Sequence, residues 1–404
     1  MIKFNSRQIV SFWITLACLQ VSTQAQEKSY YGNVDPKVRL QILAQARTMK
    51  SFDPAREIKK EDDKNNLTQK IDVVKFLSEK CDFPYTRDAN GLPVRPQVSC
   101  VYSPKAEEFN GMTAKFDCSF SFVNKDGQTK EKTLKVKYEP KKYAGGGHKE
   151  IPQAIIGTSL ARLLGFNSTT YCPVDLICKD CPSDNPWSQA RSSAPAVAGN
   201  LIEFKNVVVD SKIKGYKVED SKNQNAEKPQ GFTFRDLNRY FLRNIDSHLL
   251  ATMKAEREAL TIWINFVVSA DADHHNNKLF CTNSTPAATP QETPKCLDSI
   301  AVLNDYGNSM GYSSADTRLQ VSKFARDVLR SGGDQYTAIG ASGNAGAANH
   351  PISDAGRLLF IQQAEAITDA QLTDIFTLAQ VNKVSDGDVT SWIKAFRKKV
   401  ERMK

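Results

Sequence analysis

The chain has 404 residues, of which 40% are apolar and 25% charged, with nine cysteines and a formal net charge of +9. This composition excludes a collagen-like or wholly disordered chain and provides enough residues for two packed units. Lys and Arg are scattered among acids, with no arginine-rich tract and no basic and aromatic repeat, so nucleic acid is not an expected partner, whereas acidic small ligands are acceptable.

The first segment is expected to lie outside the fold. Lys3 and Arg7 precede a mostly apolar run over residues 9–21, and Thr23-Gln24-Ala25 offers small residues for cleavage, which predicts a signal peptide over 1–25 and export to the periplasm or the medium. The run is short for a membrane span, so no transmembrane segment is expected after its removal. In an alternative reading, Leu16-Ala17-Cys18 loosely resembles a lipobox and Cys18 becomes a lipid-modified N-terminus, although Thr15 stands where such boxes prefer Leu. Without Cys18 the cysteines are even in number, and export makes disulfides their default state. Cys281 and Cys296 flank a Pro-, Thr- and Ser-rich loop and are expected to staple it. Cys178-Lys179-Asp180-Cys181 could begin a zinc site, but no second Cys-x-x-Cys follows, so a disulfide is favoured there too.

Residues 26–95 predict an N-terminal helical extension, with Val38, Ile42, Leu43 and Ala46 and then Ile71, Val74 and Leu77 at spacings near 3.6, interrupted by the polar run 57–66. Alternation then predicts strands over 98–102, 114–123 and 133–138, three in antiparallel succession with a turn at Asn124-Lys125-Asp126-Gly127. A helix is expected over 152–164, with Pro152 in its first turn and Gly165 at its end, followed by strands over 171–177 and 200–209. Helices are expected over 234–250 and 255–269, the second apolar on nearly all sides, then a loop over the Gly-, Ala- and Ser-rich stretch 331–348. Helices at 355–364, 369–380 and 389–404 close the chain.

The chemistry concentrates after the buried helix. In Asp271-Ala272-Asp273-His274-His275-Asn276-Asn277-Lys278, an Asp and an Asn stand five residues apart before a short apolar strand, and Asn304-Asp305-Tyr306-Gly307 follows the next one. Phosphotransfer needs one carboxylate on the attacking hydroxyl and oxygen ligands for the magnesium that bridges nucleotide phosphates. Upstream, alternation in Leu134-Lys135-Val136-Lys137-Tyr138 puts Lys135 and Lys137 on one strand face, where a lysine can hold phosphates; the plain alternative is a solvated edge.

These segments, together with 111–117 and 159–166, resemble a family of uncharacterised exported bacterial proteins with an atypical kinase-like fold. More distantly they are similar to HipA-type toxin kinases, spore-coat CotH kinases and phosphatidylinositol kinases. The resemblance covers about residues 98–310 and rests on the order of motifs that are individually weak. It implies Lys137 on phosphate, Asp271 as catalytic base, Asn276 and Asp305 on magnesium or manganese, and Asn277 as a second metal-side Asn. ATP or another nucleotide is the implied cofactor, and a protein, peptide or glycan hydroxyl the implied acceptor. The fold implied is α+β and two-lobed, protein-kinase-like, with a small antiparallel β lobe over 96–209 and a larger, mainly helical lobe over 210–404.

The sequence departs from that pattern in two places. The phosphate-covering loop has only Gly111, which leaves backbone and Lys115 to cradle phosphate. The acid expected on the helix near Gln153 or Ala154 is absent, and the nearest is Glu150. A catalytically inactive, kinase-like binding module is therefore the competing reading. Asp273 competes with Asp271 as base, but that alignment puts Lys278 where the metal Asn belongs. Asp273-His274-His275 also spells the signature of two-manganese phosphoesterases, whose further Asp and His motifs are missing among the five histidines of this chain.

Overall fold

The structure, a computed structural model, describes residues 34–49, 71–104, 113–123, 127–139, 150–186, 194–211, 213–219, 231–269, 272, 276–285, 294–311, 318–332, 335–339, 347 and 349–404. It is an α+β protein. Residues 1–25, expected as a signal peptide and including Cys18, lie outside the described residues, as do Gly111, Asp271 and Asp273.

Two helices come first, α1 (Pro36–Gln45) and α2 (Val73–Cys81), each started by an aspartate, Asp35 and Asp72, whose side chain accepts a backbone N–H of the first turn. The strands β1 (Gln97–Ser103), β2 (Lys115–Val123) and β3 (Thr129–Lys137) follow in antiparallel succession. Helix α3 (Glu150–Leu163) comes next, then β4 (Thr170–Lys179) and β5 (Leu201–Ser211). The five strands close into a barrel in the order β1-β2-β3-β5-β4, and the closing pair β4–β1 is parallel, so this unit is not the purely antiparallel β lobe that the resemblance implied. Closure removes both sheet edges. The interior is aromatic, with Phe116 5.2 Å from Phe204 and 5.6 Å from Tyr138 between ring centroids, all three buried.

The second half begins with a short strand β6 (Tyr216–Val218) and helix α4 (Phe234–Arg239), then the long α5 (Ser247–Phe266). The single helix expected over 234–250 is thus two. Its break precedes Asp246, which accepts from the N–H groups of His248 and Leu249 and so starts α5 afresh. Strand β7 (Lys278–Thr285) pairs with both β8 (Lys295–Val302) and β6 in an antiparallel sheet, order β8-β7-β6. After α6 (Val321–Phe324), the stretch expected as loop contains a hairpin, β9 (Leu329–Gly332) with β10 (Gln335–Ala338), and β10 also pairs with β11 (Pro351–Ile352). Helices α7 (Asp354–Ala366), α8 (Asp369–Leu378), α9 (Val381–Val384) and α10 (Val389–Glu401) complete the chain.

The N-terminal segment is not an appendage. Residues 46–49 run between two distant passes of the chain: Arg47 bridges Ile300, Met49 bridges Phe166, and the Asn167 N–H donates to the Thr48 carbonyl at 2.8 Å. Arg257 of α5, almost fully buried, donates to the carbonyls of Leu43, Ala44 and Ala46 at 3.0, 3.0 and 3.1 Å and to those of Leu237 and Tyr240. Burial lowers its pKa to about 10, the neighbouring Glu256 working the other way.

Four disulfides join Cys81–Cys172, Cys100–Cys118, Cys178–Cys181 and Cys281–Cys296. The expected staple of Cys281 to Cys296 is present, with Cα atoms 5.8 Å apart across the β7–β8 hairpin. Among the described residues, no helix is long and apolar enough to cross a membrane.

Candidate functional site

Lys137 ends β3 with its ammonium turned inward, 7% exposed, and Lys115 starts β2 directly opposite it in the antiparallel register. Asp305 arrives from the other half. It follows β8 through Leu303 and Asn304, which are held against the start of β4: Ser168 bridges Leu303, and the Thr169 and Tyr171 hydroxyls donate to the Asn304 carbonyl at 3.3 and 3.2 Å. The result places Lys137 Nζ 3.7 Å from Asp305 Oδ2. The other carboxylate oxygen, Oδ1, accepts the Gly307 N–H at 3.0 Å, a local turn that fixes the carboxylate plane.

Helix α3 brings Glu150 to the same place. Its buried carboxylate accepts a hydrogen bond from the Thr113 hydroxyl, and a Cβ built on Gly307 would meet Glu150 Cδ at 3.1 Å and Asp305 Oδ1 at 3.2 Å. Starting from the first residue of the helix, Glu150 thus borders Asp305. Gln153, where the family pattern expects an acid, instead accepts the Ser309 N–H at 2.7 Å and pins the loop after Asp305.

Charge in this cluster is uneven. Burial works against the ammonium of Lys137, but Asp305, then Tyr171, whose ring lies 4.7 Å from Nζ, and Glu150 outweigh it and hold the pKa above the ordinary lysine range. For Lys115 burial wins. Together with the like charges of Lys137 and Lys135 it brings the pKa down to about 8, with Asp305 and Glu150 only partly offsetting the shift. One fixed and one titratable cation therefore face an acidic pair.

The two asparagines before β7 differ from each other. Asn276 is half-buried at the turn before β7, whereas Asn277 is buried and donates its amide to the carbonyls of Phe232 at 3.1 Å and Ala272 at 3.3 Å, which leaves only its Oδ1 as an oxygen ligand. Backbone packing here is extreme: a Cβ on Gly231 would lie 1.7 Å from the Asn277 carbonyl oxygen. Strained backbone flanks both acidic segments. Val268, three residues before Asp271, has φ 52°, and Met310, five after Asp305, has φ 56°, while the Met310 N–H donates to the Val267 carbonyl. A β-branched residue at positive φ is costly and persists where surrounding contacts enforce it.

The site's donors all carry oxygen or ammonium groups. The structure brings together Lys137, Lys115, Asp305 and Glu150, of which the two carboxylates are hard ligands of the kind magnesium or manganese takes and the two lysines supply cations for phosphate, whereas Asn276 and Asn277 stand at the turn before β7 with no contact to that group among the described residues. Sequence reasoning missed Tyr171 and Thr113. Tyr171 lies in a strand whose alternation signals only burial, and Thr113 lies in the 111–117 segment, of which only Gly111 and Lys115 were singled out.

No protein-family profile and no curated protein matches this chain. Among solved structures, the Helicobacter pylori proinflammatory kinase CtkA is similar at 12% identity over 76% of this chain and 98% of its own, with a TM-score of 0.39. HipA of the Shewanella oneidensis MR-1 toxin–antitoxin system, in complex with HipB and operator DNA, is similar at 11% identity over 82% and 70%, with a TM-score of 0.30. At these scores neither likeness bears on the chemistry of the site, which stands on this chain's own residues.

Proposed function

We propose that this chain is a kinase-like protein that binds a metal–nucleotide between the barrel and the helical half and transfers a phosphoryl group to a protein, peptide or glycan hydroxyl. The observation that carries this reading is the 3.7 Å approach of Lys137 to Asp305, one from each half. A phosphate-binding cation and a metal-binding carboxylate on opposite walls of one cleft are what a bridging magnesium nucleotide requires. Lys137 and Lys115 would hold phosphate oxygens, Asp305 and Asn276 would hold the metal with Asn277 Oδ1 beside them, and Asp271, or Asp273 in the rival alignment, would accept the acceptor's proton. The metal would supply charge neutralisation on the phosphates. Glu150 would keep Lys137 charged and placed. Export through the signal segment, with the lipid anchor at Cys18 as its variant, belongs to the same proposal and agrees with four disulfides.

A second reading, an inactive binding module, is favoured by one observation: the Glu150 carboxylate is taken by Thr113. Thermal unfolding with ATP and magnesium or manganese, followed by a phosphate-transfer assay with labelled ATP, separates them. Stabilisation with autophosphorylation supports the enzyme, stabilisation alone supports the module, and neither effect with any nucleotide tried overturns both.

A further inference from the structure

Between β1 and β2, closure of the barrel rests on three rungs among the described residues: Val101 with Ser119, Tyr102 with Cys118 and Ser103 with Asp117. Beyond them the two strands part. Residues 97–101 of β1 pair with β4, while β2 runs on through 120–123 with β3 alone as its partner. An antiparallel strand turns alternate N–H and C=O groups to each side, so the edge that closure removes elsewhere stays open here and presents backbone donors and acceptors to the gap. The gap is a groove of about 850 Å3, lined on one side by 98–101 and on the other by 119–123.

Its lining is apolar and its rim basic. Phe83, just after α2, lies beneath, 5.5 Å from both Phe120 and Phe122 between ring centroids. Val101 and Val123 also line the groove and are 45% and 72% exposed, a large apolar display for strand residues. Lys132 and Lys130 stand opposite Phe120 and Phe122 in the β2–β3 register and so on the same face, with Lys179 reaching in from β4. By the same alternation Glu131 faces the other way. Asp82 is the one acid in the described lining, and it is paired with Lys132 at 2.6 Å. Lys130 and Lys179 have no ion pair among the described residues.

We propose that this groove docks an extended acidic peptide, which adds beside β2 over 120–123 as a further strand. Its apolar side chains rest on Phe122, Val101 and Val123, and its acidic ones meet Lys130 and Lys179. In docking of this kind main-chain hydrogen bonds give affinity and alternate side chains give specificity. The lysines choose among occupants. A second copy of this chain pairing through the same edge would set its own lysines against these, and like charges brought together oppose such an interface. An anionic bilayer would satisfy the lysines but offers no strand for the open edge. The groove lies at the turn end of the β2–β3 hairpin and Lys115 and Lys137 at its other end, roughly 27 Å away at about 3.4 Å per residue. The inference therefore does not depend on the phosphotransfer reading.

The experiment titrates the full chain, with its disulfides intact, into a fluorescent, end-capped peptide of alternating valine and glutamate, about eight residues long so as to overrun 120–123 at both ends. Two comparison peptides replace every glutamate by lysine, or two central residues by proline. The valine–glutamate peptide should bind at least about tenfold more tightly than either, since one reverses the charge and the other removes backbone donors. Its binding should slow amide hydrogen exchange over 120–123. Lys130→Glu/Lys179→Glu and Val123→Asp, all at exposed positions, should each weaken it at least about tenfold with the unfolding temperature unchanged. Absence of binding overturns the proposal, as does equal binding of the three peptides or unchanged exchange at 120–123, a measurement on the parent chain that needs no variant to fold. Binding to phosphatidylglycerol vesicles without binding of the peptide would make an anionic lipid the occupant, and concentration-dependent dimerisation blocked by Val123→Asp would make it a second copy; either result overturns the peptide.

Discussion

Gly157 of α3 lies against the ring of Tyr306 so closely that a Cβ at position 157 would fall 2.4 Å from the ring's Cγ. Tyr306 is the residue after Asp305, is fully buried, and accepts the Trp263 indole N–H at 3.1 Å. The helix carrying Glu150 and the loop carrying Asp305 are therefore packed backbone to ring, with the Gln153–Ser309 hydrogen bond beside them.

Gly157→Ala should force that contact apart. Overpacking of a filled interior costs about 1–3 kcal/mol, which chemical denaturation would register. Because the ring adjoins Asp305, the variant should also weaken metal-dependent nucleotide binding, whereas Gly91→Ala, strained at φ 76° but with no atom within 4 Å of its Cβ, should cost some stability and leave binding unchanged.

Asp305→Asn should abolish the rise in unfolding temperature given by ATP and magnesium while the chain still unfolds cooperatively, because Glu150 and Tyr171 continue to favour the Lys137 ammonium. Asp271→Ala should keep that rise and lose phosphate transfer. If Asp273→Ala is the variant that loses transfer, the rival alignment of the base is the right one.

Lys115 gives the site a pH dependence. Its pKa of about 8 means that the ammonium is lost as pH rises through that value, well before an ordinary lysine. Nucleotide affinity should fall over that range, and Lys115→Arg, which stays charged, should flatten the profile. Stability should move the other way. The unfolded chain holds this proton more tightly, so between about pH 8 and the ordinary lysine value the group makes folding more favourable as pH rises.

Arg257→Leu should destabilise the chain by at least about 3 kcal/mol, because five carbonyls, four of them in buried bonds, lose a donor at once. Arg257→Lys should recover little, since one ammonium cannot span both groups of acceptors. Urea unfolding of the two variants checks both statements.

Alternation made the barrel strands legible, as the four apolar and aromatic residues Phe116, Cys118, Phe120 and Phe122 on one face of β2 illustrate. It could not show closure, because the parallel β1–β4 pairing joins segments far apart in sequence. The break before Asp246 was hidden because apolar residues keep helical spacing on both sides of it, although an Asp before a helical run is itself a start signal. Lys137, Glu150 and Asp305 were visible as residue types, but their meeting depends on three chain passes. Residues 47–49 carried no signal, since isolated bridges leave no periodicity.

That short segment has a mechanical consequence. Where 166–169 runs beside 303–304, residues 46–49 lie across the contact as a splint, bonded to Ser299 and Ala301 on one side and to Phe166 and Asn167 on the other. Cutting the chain after residue 49 would leave the strap in place only by non-covalent bonds. Removing it altogether would take away one brace and leave the bonds of Asn167, Ser168 and Thr169 to Leu303 and Asn304 to hold that contact.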